Sequence, residues 1–322
     1  MTEILLNGAV PVSAHGQRLD QVLAAMFPDY SRSRLQQWLR EGRVRLNGEV
    51  QQVTKFKVLG GEQVELRVPE TLPSSNDWQP QAITLDIVYE DADVIIVNKR
   101  AGLVVHPAAG NHEGTLVNAL LAHAPEMAGL PRGGLIHRLD KDTTGLLVAA
   151  RNLKAHHKLT RALQEREVKR IYLAVVNGEF TAGGTVDAPL DRHPVDRKRR
   201  AVVMGGREAV THYRIEERFR AHTLLRCQLE TGRTHQIRVH MTHIHHPIVG
   251  DPVYGGRLRI PRGATPALVQ CLRGFSRQAL HAAQLGFVHP ATQTPMEWQA
   301  PVPQDMQALI DTLREDTRDA AV

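Results

Sequence analysis

The sequence predicts an α+β protein with a small amino-terminal unit and a larger domain that contains a mixed, mostly antiparallel sheet. Residues 17–68 combine two helical patterns with strand-like alternation in a short span. Residues 69–80 are rich in proline and serine and have no apolar period, which is typical of a linker. Across residues 81–305, short apolar strands predominate without regular alternation with helices, which favours α+β over a parallel α/β fold. Residues 306–322 are expected to form an acidic carboxy-terminal tail.

The amino-terminal unit is expected to begin with two helices. The first is predicted by apolar residues at positions i, i+3, i+4 and i+7, which are Leu19, Val22, Leu23 and Met26. The second follows Ser31 or Ser33, either of which can cap it, and Gly42 is well placed to end it. Residues 44–48 then alternate between apolar and polar side chains and end in Asn-Gly, which is a strong hairpin signal.

Hydrophobic patterns in the larger domain predict a hairpin, two helices and two long strands. The hairpin joins apolar runs over residues 85–89 and 94–97 through an acidic turn. The helices are predicted over residues 116–123 and 153–164, and the strands over residues 171–176 and 223–229.

Composition places the chain among globular intracellular proteins. A hydrophobic content of 42% in 322 residues excludes extensive disorder. No apolar run approaches the ~20 residues of a membrane span, and the amino terminus lacks the pattern of a secretory signal. Cys227 and Cys271 have no CxxC spacing and are expected to be free buried thiols. A cytoplasmic monomer is the resulting expectation.

The charge balance favours a polyanionic partner. Forty Lys and Arg residues against 34 Asp and Glu residues give a net charge of +6, which suits phosphate contacts and counterion release. The positive charge is concentrated in the amino-terminal unit and in the run 197–200. Charge runs are also commonly solvated faces, so clustering alone does not identify the partner.

One acidic side chain lies where a reaction can be expected. Asp140 is part of a short polar turn between the apolar runs 135–136 and 146–148. A carboxylate on a loop held by flanking strands is fixed in position while remaining accessible to a ligand. The alternative is a turn-capping aspartate, which is a frequent structural role. Asp142 shares the turn and is assigned to capping or to solvent.

Several strings together carry a family resemblance. The string His-Arg-Leu-Asp-Lys-Asp-Thr-Thr-Gly-Leu-Leu over residues 137–147 resembles the catalytic signature of RluA-type pseudouridine synthases, which modify structured RNA. Matching strings occur at 97–107, 229–240, 249–256 and 278–282, with arginine at position 100 where the family usually has proline. The amino-terminal unit is similar to the S4 RNA-binding fold, so we expect a small α/β S4-like domain followed by a pseudouridine synthase catalytic domain.

The resemblance implies that the chain converts uridine to pseudouridine. Uracil is detached from the ribose at N1, rotated and rejoined through C5, which requires no cofactor, metal or second substrate. Asp140 would act near C1′, either as a nucleophile or by removing a proton, and the sequence leaves both open. The resemblance further assigns Tyr172 to stacking on the base, Arg233 to pairing with Asp140, Arg138 to base flipping, and Leu280 to the pocket wall.

The partner implied by the resemblance is large-subunit (23S) rRNA or a ribosomal precursor particle, and for the most similar members the helix 69 stem-loop. The candidate RNA contacts are basic side chains that the resemblance or the charge clusters single out, which are Arg32, Arg34, Lys55, Lys57, Arg197, Lys198, Arg199, Arg200 and Arg238.

Two other classes of protein compete with this interpretation. Five histidines between His235 and His246 invite a zinc hydrolase, but H-E-x-x-H is absent and no cysteine is near. A non-catalytic rRNA-binding protein would retain the fold, although it has no use for Asp140, Tyr172 and Arg233 together. Nucleotide-dependent classes are disfavoured because neither G-x-G-x-x-G nor a P-loop motif occurs.

Overall fold

The computed structural model describes residues 3–27, 30, 32–69, 78–107, 111, 113–196 and 199–320. Ser31, residues 70–77 of the predicted linker, and the predicted RNA contacts Arg197 and Lys198 lie outside these ranges. No helix in the described ranges is both long enough and apolar enough to cross a lipid bilayer.

The amino-terminal unit is a four-stranded antiparallel sheet with two helices. The two predicted helices form as Leu19–Met26 (α1) and Arg32–Arg40 (α2). The strands, in the spatial order β1-β4-β2-β3, are Glu3–Ala9 (β1), Val44–Leu46 (β2), Glu49–Val50 (β3) and Gln63–Pro69 (β4). Asn47 and Gly48 both have positive φ and form the predicted two-residue turn between β2 and β3.

Strand β1 extends the amino-terminal sheet beyond the predicted range of 17–68. It pairs with β4 along its whole length, from Glu3 opposite Pro69 to Ala9 opposite Gln63. The adjacent apolar side chains of Ile4 and Leu5 are both about half exposed. The strand therefore lacks the apolar–polar alternation that identifies strands in a sequence.

A buried carboxylate, Asp20, ties α1 to α2. Its side chain is fully buried and accepts hydrogen bonds from Arg18, Arg32 and Gln36. The guanidinium of Arg32, one of the candidate RNA contacts, donates through Nε and Nη2 to Asp20. Although burial disfavours the charged carboxylate, the hydrogen bonds from Gln36, Arg18 and Arg32 outweigh it and lower the pKa of Asp20 to about 2.

Replacing Asp20 with asparagine is expected to destabilise the protein by about 2 kcal/mol at pH 7, since one pKa unit corresponds to about 1.4 kcal/mol. The contribution is present above the unfolded-state pKa of the carboxyl and is lost as the pH falls toward the folded-state value of about 2. The difference between wild type and Asp20→Asn should therefore shrink between pH 7 and pH 3 in urea unfolding. Asp191→Asn, at a side chain that is 57% exposed, is the control. An equal difference at both pH values would contradict the assignment.

The larger domain is built on a nine-stranded mixed sheet, which confirms the predicted α+β class. Its strands are Ile87–Glu90 (β5), Val94–Lys99 (β6), Thr144–Ala150 (β7), Lys169–Asn177 (β8), Gly184–Asp187 (β9), Val210–Arg218 (β12), His222–Leu229 (β13), Leu280–Val288 (β14) and Pro295–Gln299 (β15). Leu190–Arg192 (β10) and Arg200–Val202 (β11) form a separate hairpin. The order is β5-β6-β7-β14-β8-β13-β12-β9, with β15 beside β14. Every pairing is antiparallel except that of β7 with β14.

Among the residues that the structure describes, the larger domain also contains five α-helices. They are Leu116–His123 (α3), Leu153–Gln164 (α4), Gln236–His243 (α5), Pro266–Gly274 (α6) and Gln304–Asp319 (α7). Helices α3 and α4 have the predicted bounds. Strands β5 and β6 form the predicted hairpin, and β8 and β13 contain the two predicted long strands.

Helix α7 corrects the prediction of an acidic tail over residues 306–322. Met306, Leu309, Ile310 and Leu313 are buried in the main core of the larger domain. These four positions follow the spacing i, i+3, i+4 and i+7, so the apolar face of an amphipathic helix was present within the acidic composition. Residues up to Asp319 are therefore part of the folded domain.

The parallel pairing of β7 with β14 places the start of both strands at one edge of the sheet. His281 lies opposite Thr144, and Ala282 lies opposite Gly145. A Cβ atom on Gly145 would lie 2.2 Å from the carbonyl oxygen of Ala282, and the residue has φ of +108°. Glycine is required here because only it permits both the conformation and the close approach. The turn that carries Asp140 directly precedes β7.

Candidate active site

A cleft of about 440 Å³ opens beside the start of β7. Six residues that the sequence singled out contribute to its lining, which are Arg138, Asp140, Tyr172, Arg233, Arg238 and Leu280. They come from the turn before β7, from β8 and β14, from the segment that joins β13 to α5, and from α5 itself. The fold thus brings residues that are more than a hundred positions apart in the sequence into one concave site.

Asp140 occupies a closed turn, as predicted. The backbone amide of Thr143 donates to the carbonyl oxygen of Asp140 at 3.1 Å. The buried Lys99 donates from Nζ to the carbonyl oxygen of Lys141 at 2.7 Å, which anchors the turn to β6. Burial lowers the pKa of Lys99 to about 7, against the opposing effect of nearby carboxylates. The Asp140 side chain is 16% exposed, so its carboxylate faces the cleft and not bulk solvent.

The cationic partner of Asp140 is Arg238. Its Nη1 donates to Oδ2 of Asp140 at 2.9 Å, while Nε and Nη2 donate to the two oxygens of Asp251 at 2.7 and 2.9 Å. Burial disfavours the charge on Arg238, but the Asp251 and Asp140 carboxylates outweigh it and raise its pKa above the ordinary value. The prediction that Arg238 contacts RNA phosphate is therefore wrong, because its guanidinium is buried between two carboxylates.

The predicted pairing of Arg233 with Asp140 is also wrong. Arg233 precedes α5 and donates from Nε to the carbonyl oxygen of Glu208 at 2.9 Å. The N-cap position of helix α5 is His235, and its side chain makes no capping hydrogen bond. Arg238 falls on the buried face of this helix, whereas Arg233 remains in the preceding connection. Arg233 still lines the cleft.

Tyr172 and Leu280 form the apolar side of the cleft. They lie on the adjacent antiparallel strands β8 and β14, where Ala174 is opposite Leu280 and Ala282 is opposite Tyr172. Both side chains are more than nine-tenths buried. Burial raises the pKa of Tyr172, so its hydroxyl remains protonated at neutral pH. The pair offers an aromatic surface and an aliphatic wall beside Asp140.

Arg138 lies at the exposed rim of the cleft. A salt bridge to Asp142 or Glu165 would occupy its guanidinium and compete with a role in base flipping. Among the described residues, neither ion pair is present, and Glu165 pairs with Arg161 instead. The guanidinium of Arg138 therefore has the accessibility that a base-flipping role requires.

The other predicted RNA contacts are distributed over two regions. Lys55 and Lys57 are exposed on the amino-terminal unit, and Lys57 donates to the carbonyl oxygen of Gly16. Arg34 is half-buried and donates to Gln37. Arg199 and Arg200 belong to the β10–β11 hairpin. This hairpin contacts Tyr254, which lies behind the cleft residue His235. The Arg199 guanidinium lies 5.2 Å from the Tyr254 ring, and the Arg200 amide donates to its hydroxyl.

Three of the five clustered histidines have separate hydrogen-bond partners for their rings. His235 binds Tyr254, His240 binds Thr211 and the carbonyl oxygen of Ala188, and His246 binds a backbone carbonyl oxygen on β8. Within the described ranges, the group close enough to hold a metal ion consists of Asp91, Asp93 and His289, which includes none of these histidines. These three rings are thus used in hydrogen bonds within the protein.

Comparison with known proteins agrees with the geometry of the cleft. Residues 93–243 match the family described as RNA pseudouridylate synthase, and residues 17–64 match the S4 domain. The chain is 56% identical to the Escherichia coli protein named ribosomal large subunit pseudouridine synthase D, over 97% of this chain and 95% of that protein. It is 54% identical to the Pseudomonas aeruginosa protein of the same name, over 98% of each.

A solved structure gives the same assignment. Human RNA pseudouridylate synthase domain containing 4 superposes with a TM-score of 0.55 at 26% identity, over 71% of this chain and 92% of that one. The family match, the relatives that align over nearly the full length, and the solved structure therefore indicate the same family as the strings around Asp140. The chain belongs to the RNA pseudouridylate synthase family, as an enzyme of the RluA type that carries an S4 domain.

Proposed function

We propose that this enzyme isomerises specific uridines of large-subunit (23S) rRNA to pseudouridine, with Asp140 as the reacting carboxylate and without a cofactor. The observation that carries the proposal is the ion pair between Asp140 and Arg238 inside a cleft that also contains Tyr172 and Leu280. A carboxylate held ionised and oriented next to an aromatic surface suits a flipped pyrimidine nucleotide.

Each residue of the cleft has a distinct task in this reaction. Asp140 acts at the sugar, where the bond from C1′ to N1 breaks and a bond from C1′ to C5 forms; it either attacks C1′ or removes a proton so that a glycal-like intermediate forms. The proton on C5 leaves to solvent at the end, and N1 takes up a proton in exchange, so that the product is an isomer of uridine. Tyr172 stacks on the uracil during its rotation, which is worth ~1–3 kcal/mol per base. Leu280 closes the pocket, and Arg138 occupies the space that the flipped base leaves.

The RNA target is inferred from the relatives and from the amino-terminal domain. The curated relatives cited above are named for the large ribosomal subunit, and the chain carries an S4 domain and a net positive charge. Within 23S rRNA we propose the helix 69 stem-loop as the substrate. Other uridines of 23S rRNA are the alternative, because an enzyme with another target would present the same catalytic residues.

Chemical mapping of pseudouridine in 23S rRNA tests the target. A strain that lacks the gene is expected to lose pseudouridine in helix 69, and a plasmid copy is expected to restore it. Loss at other positions of 23S rRNA would replace helix 69 by those positions. An unchanged map would contradict the proposed rRNA substrate.

A further inference from the structure

His235 is the cap of α5 and has a backbone conformation that is unusual for its size. Its φ and ψ are 60° and 20°, in the left-handed region, and no hydrogen bond from its side chain caps the helix. Such a conformation costs about 1–2 kcal/mol in a residue with a Cβ atom. The ring is aimed into the cleft, where Nε2 lies 3.8 Å from Oδ1 of Asp140. Strain of this kind in a residue beside the proposed reacting carboxylate motivates a functional explanation.

A directed chain of hydrogen bonds leads from the β10–β11 hairpin to the His235 ring. The backbone amide of Arg200 donates to the Tyr254 hydroxyl at 2.8 Å, and the same hydroxyl lies 2.8 Å from Nδ1 of His235. The hydroxyl has one hydrogen, and accepting from Arg200 leaves that hydrogen available for Nδ1. Nδ1 then accepts, so the hydrogen of a neutral imidazole is on Nε2, which faces Asp140.

We propose that His235 is a positioning residue for Asp140, that its Nε2–H is directed at Oδ1 while Arg238 holds Oδ2, and that the Tyr254 hydroxyl fixes this tautomer. The inference rests on the proposed role of Asp140. His235 would supply a second donor, on the side of the Asp140 carboxylate that Arg238 does not reach.

Two donors on opposite oxygens restrict the rotation of the carboxylate. The terminal torsion of an aspartate side chain is broad when it is unconstrained, and Arg238 alone holds one oxygen. A decrease of about 1 Å in the separation of Nε2 and Oδ1 would give an ordinary hydrogen bond. Oδ1 retains a lone pair for the ribose because a carboxylate oxygen accepts more than one hydrogen bond. Burial lowers the pKa of His235, which favours the neutral ring.

The variants His235→Gln and His235→Asn separate positioning from a purely structural role. The glutamine amide nitrogen can occupy the place of Nε2, whereas the asparagine amide ends near Nδ1 and does not reach Asp140. Asparagine adopts the left-handed conformation more readily than glutamine. If the role of His235 is purely structural, His235→Asn should be the more active variant. If His235 positions Asp140, His235→Gln should be the more active one.

The rates are measured as single-turnover tritium release from a 23S rRNA transcript that is tritiated at uridine C5. His235→Asn is expected to lose about 10- to 100-fold in rate, as for other misplaced reacting groups, with unchanged RNA affinity. His235→Gln is expected to stay within about threefold of wild type. A rate for His235→Asn equal to or above that of His235→Gln overturns the inference.

Nitrogen-15 NMR of the histidine rings tests the tautomer without any substrate. The His235 signal is identified by its loss in His235→Gln. We expect the Nε2–H tautomer in wild type and a mixture of tautomers in Tyr254→Phe; an Nδ1–H tautomer in wild type overturns the inference. If wild type releases no tritium from the transcript, the proposed rRNA substrate fails, while the NMR result still decides the orientation of the ring.

Discussion

Asp140→Ala is expected to lower the release of tritium from uridine C5 by more than about 1,000-fold, as for the loss of a nucleophile in other enzymes. The physical reason is that the other carboxylates that line the cleft, Glu208 and Glu230, are paired with Arg166 and not with Arg238. Asp251 is fully buried against Arg238, and Asp142 is outside the lining of the cleft. RNA affinity should change little, because the side chain is only 16% exposed and contributes no positive charge.

The matched control is Asp142→Ala, which removes a carboxylate two positions away in the same turn. Its backbone carbonyl oxygen accepts from Arg277, and that contact survives the substitution. We expect tritium release near the wild-type rate from this variant. Equal activity of Asp140→Ala and wild type would refute the aspartate mechanism. Tritium release by none of the three proteins, with RNA binding retained, would favour the non-catalytic RNA-binding protein.

Arg238→Met is expected to cost about 3–5 kcal/mol of folding stability, which is typical when one partner of a buried ion pair is removed. The substitution leaves the fully buried carboxylate of Asp251 without its cation and releases Oδ2 of Asp140. Tritium release should fall by at least about 100-fold, because Asp140, the proposed reacting carboxylate, is no longer oriented. Urea unfolding and single-turnover tritium release measure the two effects.

Arg233→Met provides the comparison for stability. Arg233 makes its hydrogen bond to a single backbone carbonyl oxygen, so its loss should cost about 1 kcal/mol or less. If Arg233→Met were the more destabilising variant and Arg238→Met were nearly neutral, the assignment of the buried ion pairs would be wrong.

A double variant separates the structural role of Arg238 from its role at Asp140. Arg238→Met combined with Asp251→Asn removes the unpaired buried charge, so part of the lost stability should return. Activity should not return, because Asp140 still lacks its cation. Recovery of tritium release in the double variant would show that the effect of Arg238 on activity is only an effect on folding.

Local sequence patterns were sufficient for most elements of the fold. Periodicity gave the helices 19–26, 116–123 and 153–164, and Asn47-Gly48 gave the turn between β2 and β3. These features depend on residues within one or two helical turns of each other, so the information is local. Strand β1 was missed because its exposed apolar residues do not alternate. Helix α7 was missed because its acidic composition was given more weight than its apolar period.

Some residues of the cleft and its surroundings could likewise be predicted from the sequence, and others could not. The strings around Asp140, Tyr172 and Leu280 identified three side chains that the sheet brings into one site. Sequence reasoning missed His235, Tyr254 and Asp251 as members of the network around Asp140. The string Gly250-Asp251-Pro252 was noticed only as part of the resemblance, and an acidic residue in such a turn was the available signal.

The sequence by itself determined the class of fold and the family of the enzyme, and it singled out Asp140 as the candidate reacting carboxylate, since short-range patterns and characteristic strings carry that information. Only the tertiary structure decided which arginine holds Asp140. Arg233 and Arg238 lie five positions apart, and successive side chains on a helix are rotated by about 100° around its axis. The choice therefore depends on where α5 begins and on Asp251, which reaches Arg238 only through the folded chain.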